Sequence, residues 1–190
     1  MELNYKLILA SNSPRRKELL SGLDINYEVV VIPGIDESYP DTIEKRQVAQ
    51  YIAQKKAAAY GDYLKENTLV ITADTVVILD NKIFGKPANE VAAKQMLREL
   101  SGHTHQVITG VCLTSAEKQH SFSVISEVRF CTLSESEIDY YVTRYQPMDK
   151  AGAYGIQEWI GYVGVEFISG SYYNVMGLPI QRLYRELKNF

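Results

Sequence analysis

Residues 6–22 read KLILASNSPRRKELLSG: an apolar run, a polar turn, then the start of a helix. Leu7 to Ala10 carry no polar interruption, which marks a short strand buried on both sides. Ser13 can cap a helix, and Pro14 takes the first helical position, where the missing N–H of proline is harmless. The helix runs over 14–21 and ends at Gly22. Arg15 and Arg16 fall in its first turn, where the helix end already carries partial positive charge. A buried strand leading into a helix N-terminus is a cradle for an anion. A polyphosphate would turn the repulsion between helix end and arginines into charge-assisted hydrogen bonds. Two solvated arginines on a helix face fit the local sequence equally well.

Outward from this unit the chain alternates between helix and strand patterns. NYEVVVI (26–32) reads as a strand and PGIDESYPD as a loop. Thr42 is placed to cap a long helix reaching Leu64. TLVITADTVVILD (68–80) is rich in β-branched residues, NKIFGKP reads as a turn, and Asn89 caps a helix to Leu100. HQVITGVCLTS and QHSFSVISEVRFCTL are strands joined at AEK, a hairpin. Ser134 and Glu137 form a capping box for a helix that stops before Pro147. DKAGAYGIQEW is a glycine-punctuated loop, YVGVEFISG a strand, and residues 174–188 a helix with Pro179 near its start. Parallel and hairpin connections together predict an α/β fold with a mixed sheet and flanking helices.

The chain has 190 residues, 46% hydrophobic and 23% charged, with a formal net charge of -3. That is the composition of one globular domain spanning 1–190. A general nucleic-acid binder is disfavoured, so any anion site is local. Cys112 and Cys131 have no metal-ligand spacing and read as small buried hydrophobes in a reducing compartment. The N-terminus has no signal-peptide pattern and no apolar run is long enough to span a bilayer, which points to the cytoplasm and away from membranes.

Asp74 stands in or just after an apolar strand run, where a carboxylate is costly unless paired, metal-bound or used. Thr75 adds a hydroxyl beside it. Lys86 lies in the tight FGKP turn. Of Lys55 and Lys56, only one can share a helix face with Tyr51 and Ile52. Asp36 and Glu37 follow a buried strand and suit a hard cation as well as solvent. Gln157 ends AGAYGIQ, whose glycines allow close backbone approach to a ligand, and its amide can read a base edge. His103 and His105 form H-x-H without a third zinc ligand in view. No P-loop, dinucleotide-binding glycine motif or nucleophile elbow occurs.

Taken in order, SNSPRRKELL, Asp36-Glu37, Lys56, ADTVV (73–77), GKP (85–87), SGHTHQVITGV (101–111), DKAGAYGIQ (149–157) and GSYYNVMGLP (170–179) resemble the Maf family. These are nucleoside triphosphate pyrophosphatases once described as septum-formation inhibitors, and the resemblance runs from Leu7 to Leu187. The last two segments look like the branch acting on dTTP and UTP rather than 7-methyl-GTP. The resemblance implies an elongated α/β fold similar to inosine triphosphate pyrophosphatases, a cleft between two lobes, a homodimer, and Mg²⁺ or Mn²⁺ as cofactor. It implies a nucleotide as the partner. Asp74 matches the proton acceptor, and Arg15, Thr75 and Gln157 match specificity positions. Arg16, Lys56, Lys86 and Ser11 match residues around the triphosphate. Glu37 matches a site carboxylate, with Asp74 a candidate metal ligand. One departure stands out: the family commonly has Gly after YGIQ, whereas here Glu158 and Trp159 follow. The alternatives are a 7-methyl-GTP or inosine-type pyrophosphatase, a phosphatase releasing orthophosphate, and a nucleotide-sensing division regulator.

Overall fold

The computed structural model describes residues 4–190. Among them the strands are β1 (Lys6–Leu9), β2 (Tyr27–Val29), β3 (Thr68–Leu79), β4 (Lys82–Phe84), β5 (Thr104–Thr114), β6 (Gln119–Phe130) and β7 (Val165–Ser169). The helices are α1 (Pro14–Ser21), α2 (Val48–Ala58), α3 (Glu90–Leu100), α4 (Glu135–Tyr145), α5 (Trp159–Gly164), α6 (Tyr172–Met176) and α7 (Ile180–Asn189). The strand order is β2-β1-β3-β5-β6-β7, with β4 pairing β3. Strand β1 is parallel to β2 and β3, while β3–β4 and β6–β7 are antiparallel, so the sheet is mixed as expected. No described helix is long and apolar enough to cross a membrane.

The chain divides into two compact units. The first comprises residues up to Asp74, Thr109–Val124 and Gly177–Phe190; the second comprises Thr75–Ile108 and Ile125–Met176.

In the first unit, Leu7, Leu9, Leu69 and Ile71 are fully buried, which fits parallel strands covered on both faces. Helix α1 forms as its sequence dictates, with the Ser13 hydroxyl accepting the Arg16 N–H and Pro14 at the first position. Strand β2 is shorter than the apolar run predicts. Tyr60 explains this: Val30 N–H still donates to the Leu9 carbonyl, but the Tyr60 hydroxyl donates to the Val30 carbonyl at 3.0 Å and accepts the Ile32 N–H at 3.1 Å, so the ladder stops there. The long helix expected from Thr42 also differs. Residues 40–43 form a turn closed by Ile43 N–H on the Pro40 carbonyl, and α2 begins only at Val48, after a single tight turn over Lys45–Gln47. It ends at Ala58.

Helix α2 lies unusually close to β5. A Cβ on Gly110 would stand 2.3 Å from the Gln50 nitrogen, so only glycine fits there. Ala49, Ala53 and Ala57 recur every fourth residue and are buried, giving the helix a small-residue face. The Thr72 hydroxyl fixes the register of that face by donating to the Ala53 carbonyl at 2.7 Å.

In the second unit, the FGKP region contains a strand that reads only as a turn in the sequence. Asp80, at φ 52°, turns the chain so that β4 pairs back on β3 with Ile78 opposite Ile83. Asn89 and the Ser134–Glu137 capping box start α3 and α4 as expected. The loop after Gln157 contains a short helix, α5, and the expected C-terminal helix is split: α6 ends the second unit, and α7 follows Gly177 (φ 113°) and Pro179 in the first. His105 is buried against Phe130 and Tyr154, and shares a 2.7 Å hydrogen bond with the Tyr154 hydroxyl. Cys112, in the first unit, is buried as expected, but Cys131, in the second, is part-exposed; both are free thiols.

Two predictions follow from these contacts. Gly110→Ala pushes α2 off the sheet and lowers unfolding free energy by roughly 1–3 kcal/mol, measured by urea titration. Burial lowers the His105 imidazole from 6.5 to about 4, so the unfolded chain takes up this proton first as pH falls. The stability that depends on neutral His105 is present above pH 6.5 and is lost as pH falls from 6.5 towards 4. Between pH 7 and pH 5 this amounts to about 2 kcal/mol, and His105→Gln flattens that part of the urea-midpoint profile.

Candidate functional site

The sheet of the first unit places Asp74 where β1 stops pairing. The parallel ladder ends with Leu9 opposite Ile71, and Ala10 N–H donates to the Ile71 carbonyl. Asp74 follows three residues later, at the carboxyl end of the parallel pairing, where open α/β sheets collect ligands. Thr72 and Asp74 lie two apart on the strand and so point to one face. Ala53 and Lys56 lie one turn apart on α2. Thr72 reaches Ala53, and the next contact along both elements is Lys56 Nζ to Asp74 Oδ1, at 2.8 Å. Lys56 Nζ also meets Glu37 Oε1 at 3.0 Å. The side chains of Lys56 and Asp74 are each only 13% exposed, so this ion pair is shielded in a way that surface pairs are not.

Lys55, one residue earlier, turns to solvent and pairs with Asp36 at 2.6 Å. That bond, with two from Ser38, holds the exposed Asp36 carboxyl well below its ordinary value. Of the two loop carboxylates, Asp36 is therefore occupied by Lys55 and Glu37 joins Asp74.

Arg16 is anchored to the backbone. Its Nε donates to the Gly177 carbonyl and its Nη1 to the Ala73 carbonyl, both at 2.8 Å. Burial lowers the Arg16 pKa, Asp74 and Glu37 oppose that shift, and Arg15 adds to it. Arg15 is half-buried beside it on the same helix turn. Ser11 is buried and accepts the Ser13 N–H at 3.3 Å, shaping the turn before α1. Ser11, Arg15, Arg16, Glu37, Lys56 and Asp74 thus all belong to the first unit.

Thr75, Lys86 and Gln157 belong to the second. Lys86 is exposed in the residues after β4. The Gly152 N–H donates to the Gly85 carbonyl at 3.1 Å, and a Cβ on Gly152 (φ 69°) would press on Val77 at 3.0 Å. The segment leading to Gln157 is thereby fastened to β3 and to the turn carrying Lys86. Gln157 is half-buried, and its Oε1 is shielded from solvent with no hydrogen bond among the described residues. A buried acceptor left without a donor costs about 1–3 kcal/mol, which a ligand N–H would recover.

Sequence reasoning missed two residues near Gln157. Tyr141 and Lys150 are buried and both contact Glu158: the Tyr141 hydroxyl donates to Glu158 Oε2, and Lys150 Nζ meets Glu158 Oε1 at 3.1 Å. The only signal in the sequence was Glu158 itself, at a position where glycine is expected. The Gly177 carbonyl that receives Arg16 was also invisible, since it lies 161 residues away.

Asp74 and Glu37 supply the hard oxygen donors that Mg²⁺ or Mn²⁺ takes, alongside substrate phosphates. Among the described residues no group of three or more His, Cys, Asp and Glu side chains is placed to hold a metal. His103 and His105 are therefore not part of such a cluster, and the two carboxylates fit the kind of site in which phosphate oxygens complete the shell.

Comparison with known proteins matches the Maf family, described as Maf-like protein, over residues 6–190. A dTTP/UTP pyrophosphatase of Phocaeicola vulgatus is 65% identical over 184 residues, covering 97% of this chain and 95% of that protein. A dTTP/UTP pyrophosphatase of Bacteroides fragilis is 60% identical with the same coverage, and one of Porphyromonas gingivalis 55% identical over 98% and 94%. Among solved structures, a HAM1 protein from Coxiella burnetii shares the fold with a TM-score of 0.51 at 14% identity, covering 98% of this chain and 100% of that one.

Arg16 joins α1 to the residue before Asp74 and to Gly177, so its removal is a structural loss. Arg16→Ala lowers unfolding free energy by about 2–4 kcal/mol, because two carbonyls lose a charged donor. Arg16→Lys recovers less than half of this, since one ammonium cannot span two acceptors as a fork does. Chemical denaturation of the three proteins checks both values.

Proposed function

The chain belongs to the Maf family, and on that premise we propose that it hydrolyses dTTP and UTP to the monophosphate and pyrophosphate, acting as one domain over 1–190. One observation carries the chemistry: Asp74, at the carboxyl end of the parallel strands, is held by the shielded Lys56 ammonium together with Glu37. The choice of base rests on relatives of 55–65% identity that are dTTP/UTP pyrophosphatases.

In this reading a water attacks the α-phosphorus and gives its proton to an Asp74 oxygen. The bond from the α-phosphorus to the bridging oxygen breaks, and pyrophosphate leaves with that electron pair. Lys56 orients the Asp74 carboxylate through Oδ1, leaving the other oxygen for water. Asp74 and Glu37 would hold Mg²⁺ or Mn²⁺, which when bound neutralises phosphate charge and favours departure of pyrophosphate. Arg15, Lys86 and the N-terminal end of α1 bind phosphate oxygens. Arg16 acts by fixing the backbone at Ala73. Thr75 and Gln157 contact the nucleoside. The family likeness extends the proposal to a homodimer, which light scattering coupled to gel filtration tests.

Asp74→Asn keeps the hydrogen bond from Lys56 but cannot take the proton. Its thermal midpoint stays near that of the wild type, while turnover falls roughly 10²–10⁴-fold. The assay follows pyrophosphate and orthophosphate separately across dTTP, UTP, CTP, GTP, 7-methyl-GTP and ITP, with and without EDTA. Orthophosphate as first product, or full turnover by Asp74→Asn, overturns the assignment.

A further inference from the structure

Gln157 sits third in a four-residue turn closed by the Glu158 N–H on the Gly155 carbonyl at 3.0 Å. Both ends of this turn are tied to one hydroxyl. The Gly155 N–H donates to the Tyr141 oxygen at 2.9 Å, and the same hydroxyl donates to Glu158 Oε2. The other carboxylate oxygen, Oε1, is 3.1 Å from Lys150 Nζ, which also meets Asp149 Oδ1 at 2.8 Å. Tyr141 is fully buried and Lys150 is 8% exposed, so the chain from Gly155 to Lys150 is a shielded network with every member partnered. Gly155 makes room for it, since a Cβ there would lie 2.9 Å from the Glu158 carboxyl carbon.

Such a network is costly to build around a loop that needs no fixed shape. What it fixes is the residue between its ends. Gln157 presents a shielded Oε1 that accepts no hydrogen bond from the described residues. An acceptor held rigidly in that state discriminates by what it is offered. Uracil and thymine offer an N3–H donor, whereas the N3 of cytosine is itself an acceptor and would leave two lone pairs facing each other.

We propose that Glu158 is a positioning residue: through Tyr141 and Lys150 it locks the Gly155–Glu158 turn so that Gln157 Oε1 selects bases carrying an N3–H. This rests on the pyrophosphatase reading and adds to it the origin of the preference for uracil and thymine over cytosine.

The test measures kcat and KM for UTP and CTP on wild type, Glu158→Ala, Glu158→Gln, Tyr141→Phe, Gln157→Ala and the Glu158→Ala/Gln157→Ala double variant. Glu158→Ala and Tyr141→Phe each raise KM for UTP and lower the UTP-over-CTP ratio of kcat/KM about tenfold, with kcat for UTP little changed. Glu158→Gln, which still accepts from Tyr141, recovers part of the ratio. In the Gln157→Ala background, Glu158→Ala alters the ratio less than about twofold, because the residue it positions is gone. A merely structural role would lower thermal midpoint and kcat for both nucleotides and leave the ratio alone. A ratio preserved in both Glu158→Ala and Tyr141→Phe overturns the positioning role, and so does an equal loss with or without Gln157. Should either variant fail to fold, the other decides. A wild-type protein that hydrolyses neither dTTP nor UTP overturns the functional reading itself, and this proposal with it.

Discussion

The Lys56 ammonium, between Asp74 and Glu37, is the contact on which the chemistry proposed for the first unit depends. Removing Lys56 would leave the shielded Asp74 carboxylate without its cation, whereas Lys56 keeps Glu37 as a partner when Asp74 is neutralised. Their meeting is set by backbone approach before it is set by charge. Gly110 lets α2 lie against β5, the alanine face of α2 brings it down on the sheet, and Thr72 fixes the register through Ala53. One step further along both elements is the Lys56–Asp74 pair. A larger residue at any of these close-contact points would lengthen the ion pair, even though none of them touches a charge.

The second unit solves a different problem with the same material. Its DKAGAYGIQ segment has little regular structure, yet it is held at short intervals. Gly152 fits against Val77 and bonds to Gly85, Gly155 bonds to Tyr141, and Gly161 comes so close to Ile156 that a Cβ would fall 1.7 Å from its carbonyl oxygen. Glycine here permits contact, and contact removes the freedom that glycine would otherwise leave. The ion pair between buried Lys150 and part-buried Glu158 adds the directionality that packing alone lacks. A loop with so many fixed points behaves as a rigid part of the unit.

Most of the fold is legible from local patterns. The strand–turn–helix at 6–22, the Asn89 cap and the Ser134–Glu137 capping box are decided within a few residues, and they form as read. The failures share a cause. β2 is cut short by Tyr60, about thirty residues downstream, and α2 starts late because Pro40 closes a turn first. β4 is hidden by its length of three residues and exists through pairing with β3. At the site, the residue types were readable but not their pairings. That Lys56 rather than Lys55 serves Asp74 follows from helix geometry once the sheet-facing side is known. That Tyr141 and Lys150 support Glu158 has no local signature at all.

Arg16 shows how a rule of helix electrostatics gives way to a stronger term. Two arginines at a helix N-terminus are unfavourable by a few tenths to about 1 kcal/mol each if only the dipole acts. The Arg16 guanidinium instead donates to the carbonyls of Ala73 and Gly177, and a charged hydrogen bond of this kind contributes about 1.5–3 kcal/mol. Two such bonds outweigh the dipole penalty without any bound anion. The sequence oddity therefore separates into two residues with different reasons. Arg16 is explained by the resting protein, since it joins α1 to the strand residue before Asp74 and to the segment that opens α7. The anion argument no longer depends on Arg16 being idle, since its guanidinium already holds the backbone beside the helix end that carries Arg15. A phosphate arriving there meets a positive field that the fold maintains for structural reasons, so the energetic cost of assembling it is met in folding rather than in binding.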